Sequence, residues 1–272
     1  MASPQDLKKI AQNDGRLILT GAPEGYDALV MADIARARGG LTAFVARDSG
    51  RASAFIDAMG FFAPEIEIIR LPSWDCLPYD RLGPSGGVAA QRMATLSRLA
   101  KDITAADKTA RLLVTQAATL LQRVPPHSVI QKASYHARGG NDVDIGDLER
   151  YFAVNGYRRA STVTEPGEFA IRGGVIDVFP PGAEEPVRLD LFGDTLESIR
   201  AFDPLSQRST KQLKSIDLLP VSEALLDTET IARFRQGYVG AFGAPGDDAL
   251  YAAVSEGVRK GGVEHFLSLL YP

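Results

Sequence analysis

Residues Gly167 to Ser209 read GEFAIRGGVIDVFPPGAEEPVRLDLFGDTLESIRAFDPLSQRS. From Phe169 to Phe179 β-branched and aromatic residues dominate, with a Gly-Gly interruption, and the run reads as one strand. Pro180-Pro181-Gly182 stops it, because proline removes a ladder donor and glycine tolerates a positive φ. Val187 to Phe192 is a second strand, Gly193-Asp194 a tight turn and Leu196 to Phe202 a third strand. On the second strand Val187, Leu189 and Leu191 share one face, while Arg188, Asp190 and Phe192 share the other. Such a sheet has a core side and a candidate docking side; ordinary solvated charges beside one stray aromatic are the competing reading. Antiparallel pairing about Pro180-Pro181-Gly182 places Arg172 opposite Phe192 and Arg188 opposite Ile176.

Upstream, strands and helices alternate. Arg16 to Thr20 is a short apolar strand, and Tyr26 to Arg38 has helical spacing that ends at Gly39-Gly40. Leu41 to Ala46 is the next strand. Asp48 caps a helix containing Phe55, Ile56 and Met59, and Ile66 to Leu71 is a third strand. Val88 to Leu99 is a helix and Leu112 to Thr115 a fourth strand, followed by a short helix at Ala117 to Leu121. This alternation implies parallel pairing and an α/β layer fold. Pro125-Pro126 marks a boundary. Asp144 then caps an amphipathic helix over Ile145 to Asn155, and strands follow consecutively, as in an α+β domain. After Phe202-Asp203-Pro204 come a strand at Ile216 to Leu219 and helices at Thr230 to Gln236, Asp247 to Ser255 and Gly262 to Leu270.

The 272 residues suffice for about two domains, and a net charge of −4 argues against an extended DNA-neutralising surface. Met1 to Ile10 has no apolar signal core, and no run approaches a membrane span. The single cysteine, Cys76, excludes an internal disulfide and reads as buried packing rather than a nucleophile. His127, His136 and His265 are scattered without ligand spacing, so no metal site is expected. A triad enzyme has no support, since Ser53, Ser73 and Ser85 lack a nucleophile-elbow context.

Three blocks resemble a known family: Leu71 to Asp80 (LPSWDCLPYD) followed by Arg92 to Leu99; Gly167 to Gly174 with Asp177-Val178-Phe179-Pro180, Arg188 to Phe192 and Phe202 to Arg208; and Gly261 to Leu267. The chain resembles, over essentially its whole length, the UvrB-homology module of the bacterial transcription-repair coupling factors, the Mfd translocases. The resemblance implies a degenerate P-loop, RecA-like split parallel-sheet domain, made of residues 1–128 and 208–272, with a small α+β domain inserted at 129–207. It implies a non-catalytic fragment of a much longer cytoplasmic protein. The insertion would bind the excision-repair protein UvrA through Arg172, Arg188 and Phe192, on a surface masked in the intact protein. RNA polymerase and double-stranded DNA would be engaged by regions beyond this chain. The alternative for the three residues is that Phe192 is core and both arginines pair with Asp177, Asp190 or neighbouring glutamates.

A phosphate loop needs glycine-rich backbone, a lysine and a Ser or Thr hydroxyl. Between the first strand and the first helix stands Thr20-Gly21-Ala22-Pro23-Glu24-Gly25-Tyr26-Asp27. Gly21 and Gly25 remain as turn residues, but Tyr26 and Asp27 occupy the lysine and hydroxyl places. No nucleotide cofactor is therefore expected. Trp74 and Tyr79 could stack on bases, although packing in a Pro-rich loop is the plainer reading. The rival functions are a UvrB-like DNA-damage-binding domain and a nucleic-acid-dependent ATPase or helicase.

Overall fold

The computed structural model describes residues 10, 13, 15–78, 80–102 and 108–272. The readings of residues 1–9 and of Tyr79 lie outside the described residues. The chain forms two compact units, Met1–Ser73 with Lys101–Gln122, and Trp74–Ala100 with Arg123–Pro272. These units cut the chain elsewhere than at 128 and 207.

In the first unit, β1 (Leu41–Ala46), β2 (Glu67–Arg70) and β3 (Arg111–Gln116) make a parallel sheet in the order β1-β3-β2. Helices α1 (Tyr26–Arg38) and α2 (Ser49–Phe62) alternate with the first two strands, as the sequence pattern predicts. Asp48 caps α2 by accepting the Arg51 N–H at 2.8 Å, which satisfies one of the orphan donors of the first turn. The core joins Ala28, Ala32 and Ala35 of α1 to Phe55 and Met59 of α2 and to Leu112 and Val114 of β3. Phe44 stacks on Phe55 with ring centres 3.6 Å apart. The expected strand at Arg16 to Thr20 is not formed. Leu17, Ile18 and Leu19 are exposed and outside any ladder, and apolar residues alone make no strand where no edge takes up their backbone hydrogen bonds.

The second unit contains α3 (Gly86–Asp102, its last residues excepted), α5 (His127–Lys132) and β4 (Tyr135–Arg138), α4 being the short Ala117–Leu120 turn of the first unit. Then come α6 (Ile145–Val154), β5 (Arg158–Arg159), β6 (Glu168–Arg172), β7 (Val175–Val178), β8 (Val187–Phe192), β9 (Thr195–Phe202), β10 (Ser209–Leu213) and β11 (Ser215–Leu218). Six of these strands form one sheet in the order β10-β9-β8-β7-β6-β5, and β11 pairs with β4. The run read as one strand from Phe169 to Phe179 is instead a hairpin, β6 and β7, turning at Gly173-Gly174. Gly173 has φ 61°, and a Cβ on Gly174 would stand 2.7 Å from the Leu191 carbonyl oxygen, so the pair is the turn itself.

That turn changes the expected register. β7, not β6, pairs with β8, setting Asp177 opposite Arg188 and Ile176 opposite Leu189. Arg172 lies opposite Val175, and Phe192 opposite Thr195. Val187, Leu189, Ile176, Val178 and Leu196 face a core completed by Leu148 and Phe152 of α6, which Asp144 caps through the Asp147 N–H at 2.8 Å.

The remaining helices are α7 (Thr228–Phe242), α8 (Ala249–Ser255) and α9 (Leu267–Leu270), the last preceded by a 3-10 turn at Val263–Phe266. They enclose Phe234, Tyr238, Leu267 and Leu270, with Trp74 packed against them. Gly261-Gly262, read as a family signature, has a local cause. A Cβ on Gly262 would meet the Asp80 carbonyl oxygen at 2.8 Å, and one on Gly261 the Arg81 carbonyl oxygen at 3.1 Å, so two glycines let two backbones pass closely.

Candidate functional site

The outer face of the six-stranded sheet carries the three residues singled out in the sequence, together with the carboxylates Asp177 and Asp190 that hold its arginines. Asp177 is the centre, its side chain 1% exposed. One carboxylate oxygen, Oδ1, accepts Arg188 Nε at 2.6 Å. The other accepts Arg188 Nη2 at 2.9 Å and Arg172 Nη1 at 3.2 Å. Arg172 Nη2 also donates to the Ser161 carbonyl. The Arg188 guanidinium lies over the Phe202 ring, 4.9 Å from its centre. Hydrogen bonding to Asp177 raises the Arg188 pKa, and burial works against it. One strand further, Arg200 faces Arg188 in register and donates to Asp190 from Nε at 3.2 Å and Nη2 at 2.7 Å; Asp190 also accepts Ser198 Oγ at 2.6 Å.

Phe192 is 77% exposed at the end of β8, beyond the irregularity between Asp190 and Leu191. It is not core, so that half of the competing reading is corrected: nothing in the apolar cluster needs it, and the hairpin end places it in solvent. The other half stands, since both arginines do pair with Asp177. The structure therefore brings Arg172 and Arg188 onto one carboxylate. It places Phe192 on the same strand as Arg188 but in contact with neither guanidinium in the register expected. In the sequence Asp177 stands out only as one of several possible ion-pair partners. Its central place became readable only once Gly173-Gly174 was seen to turn the chain.

At the glycine loop Gly21 and Gly25 have φ 68° and 80°, Tyr26 opens α1, and Asp27 sits in the first turn. Asp27 Oδ1 accepts the Ala28 N–H at 3.0 Å, and Oδ2 pairs with Arg51. A carboxylate of the chain thus lies at the positive end of the helix.

Trp74 is partly buried, and its Nε1 donates to Glu223 Oε1 at 3.0 Å. Arg92, fully buried, donates to the same carboxylate from Nε at 2.5 Å and Nη2 at 3.1 Å. Its guanidinium lies 5.5 Å from the Trp74 ring centre. This is packing chemistry rather than a stacking platform for bases. Cys76 is half-buried, less enclosed than expected; burial pushes its thiol pKa up, as do Asp75, Glu264 and Asp80, so the thiolate is disfavoured. Among the described residues no group of three or more His, Cys, Asp or Glu side chains could hold a metal, and no helix is long and apolar enough to cross a membrane.

Residues 136–223 match the UvrB interaction domain. The chain is 32% identical, over 93% of its length, to the transcription-repair-coupling factor of Escherichia coli (strain K12), of which it covers 21%. It is 31% identical over 95% of its length to that of Haemophilus influenzae, covering 22%. To that of Myxococcus xanthus it is 36% identical over 79% of its length, covering 18%. The resemblance read from the sequence is thereby shown, and the chain spans about a fifth of the length of these relatives.

Proposed function

We propose, from this kinship with transcription-repair-coupling factors, that the chain is a recruitment module, a UvrB-like scaffold presenting the Arg172, Arg188 and Phe192 face to UvrA. In the parent protein it would bring UvrA to RNA polymerase stalled at DNA damage. RNA polymerase and duplex DNA would be bound elsewhere in that parent, an ATP-dependent translocase of the cytoplasm. The observation that carries the reading is the UvrB interaction domain at 136–223, which encloses every strand from β5 to β11. An exposed phenylalanine on the strand of one of two anchored arginines fits it, because aromatic and arginine side chains carry most interface energy.

The chain itself is read as non-catalytic. Phosphate binding needs a lysine where Tyr26 stands, and the carboxylate of Asp27 would repel a triphosphate at the helix end. We read the first unit as a degenerate P-loop, RecA-like domain. In that reading 208–272 returns to 1–128, with 129–207 as the insertion. The grip of Glu223 on Trp74 and Arg92, and of Gly261-Gly262 on residues 80–83, joins 208–272 to the segment 74–100, all within the second unit. The alternative, a UvrB-like damage-binding ATPase, has the net charge of −4 against it.

Titrating purified UvrA with this chain tests the proposal. The wild-type chain binds and Phe192→Ala binds more weakly; equal binding by both, or none by either, refutes it. Calorimetry with ATP tests the second part, and micromolar affinity abolished by changing the Gly21–Asp27 loop would overturn it.

A further inference from the structure

We infer that Asp177 is a positioning residue, a buried carboxylate that holds Arg172 and Arg188 as one preformed donor pair for the partner. The inference rests on the reading that this face binds UvrA, and it adds a residue the partner never touches.

The geometry is specific. Asp177 is 1% exposed, so it offers nothing to a docking surface directly. Its two oxygens take three guanidinium hydrogen bonds, two from Arg188 and one from Arg172. Arg188 is fixed a third time by the Phe202 ring beneath it, and Arg172 a second time by the Ser161 carbonyl. A free arginine side chain loses its rotamer freedom when an interface immobilises it. Here that loss has been taken in folding, and Nη1 of Arg188 has no hydrogen-bond partner among the described residues. From β7 the carboxylate also lets two cations stand close together on the strands that flank it, β6 and β8, where unscreened they would repel one another. Asp190 plays the same part for Arg200 one strand away, so the face repeats the device.

Positioning and simple charge predict opposite signs. If the arginines worked only through summed positive charge, Asp177→Asn would make the face more positive and tighten binding to an anionic partner surface. If Asp177 positions them, the same change weakens binding. The experiment titrates UvrA with the wild-type chain, Asp177→Asn, Arg188→Lys, Arg188→Ala and Phe192→Ala, well below the melting temperature of each. Asp177→Asn should bind about tenfold more weakly. Combined with Arg188→Ala, it should add less than its own tenfold loss, since only Arg172 is left for it to position. Arg188→Lys keeps the charge and the buried carboxylate but loses the two-pronged fork. It should bind as weakly as Asp177→Asn, and it remains informative if Asp177→Asn does not fold.

Wild-type or tighter binding by Asp177→Asn, or wild-type binding by Arg188→Lys, overturns the inference while Arg188→Ala and Phe192→Ala still weaken binding. If those two also bind like wild type, the docking face itself is wrong and the inference falls with it.

Discussion

At the scale of single residues, exposure decides which substitution is a clean probe. Phe192 is 77% exposed and belongs to no apolar cluster, so Phe192→Ala should leave folding stability within about 0.5 kcal/mol. Under the proposed function it should cost roughly 1–3 kcal/mol of UvrA binding. Arg188→Ala should cost similar binding energy but also stability. It strips two of the three guanidinium hydrogen bonds from a carboxylate that is 1% exposed, a loss of about 1–3 kcal/mol in urea denaturation. A stability loss in Phe192→Ala as large as in Arg188→Ala would contradict this division. Alternation along β8 was enough to put Arg188 and Phe192 on the non-core face. It could not show that Arg188 is tied down, because its partner lies on another strand whose existence hung on a turn.

At the scale of elements, the chain's local punctuation was legible where the signal was a cap and ambiguous where it was glycine. Asp48 and Asp144 were read as caps from residue type and position, and both accept the expected backbone N–H. Gly173-Gly174 is ambiguous in the sequence, since two glycines in a β-rich run fit a bulge as well as a hairpin. The register against β8 differs by one residue from the expected one, with Asp177 rather than Ile176 opposite Arg188. Gly174→Ala should therefore destabilise the sheet by about 1–3 kcal/mol, its new methyl group meeting the Leu191 carbonyl rather than a movable side chain. A second element-level test is acidic. The Glu168 side chain closes the loop before β6 by accepting the Thr164 N–H at 2.8 Å and the Glu165 N–H at 3.0 Å, and it pairs with Arg158. Burial alone would raise its pKa, yet the hydrogen bonds and Arg158 hold it below the ordinary glutamate value. A depressed folded-state pKa gives stability that is complete above the unfolded value, about 4.3, and is lost as pH falls through the folded one. Glu168→Gln should flatten that part of the stability profile below about pH 4 and leave less stability at pH 7. An unchanged acid limb in the variant would show that Glu168 is not the group responsible.

At the scale of the molecule, what the sequence could not disclose is which distant segments share a unit. Periodicity identifies the helix around Arg92, but nothing local says that one of its charges is fully buried on a carboxylate 131 positions away. The second unit is assembled from 74–100 and 123–272, and Glu223 is the residue that bonds to both Trp74 and Arg92 from the later segment. Removing one member of a buried ion pair costs more than the pair contributes, because the remaining charge is left in a low-dielectric interior. Glu223→Ala should thus destabilise the second unit by roughly 3–5 kcal/mol, read as a lower urea midpoint in far-ultraviolet circular dichroism. Glu223→Gln retains an acceptor for the Trp74 indole and one guanidinium N–H, so it should fall between the two. The order wild type, Gln, Ala follows from the geometry of a single carboxylate serving an indole and a guanidinium. If Glu223→Ala unfolded at the wild-type midpoint, the ion pair would be a passenger in the core that joins 74–100 to 208–272.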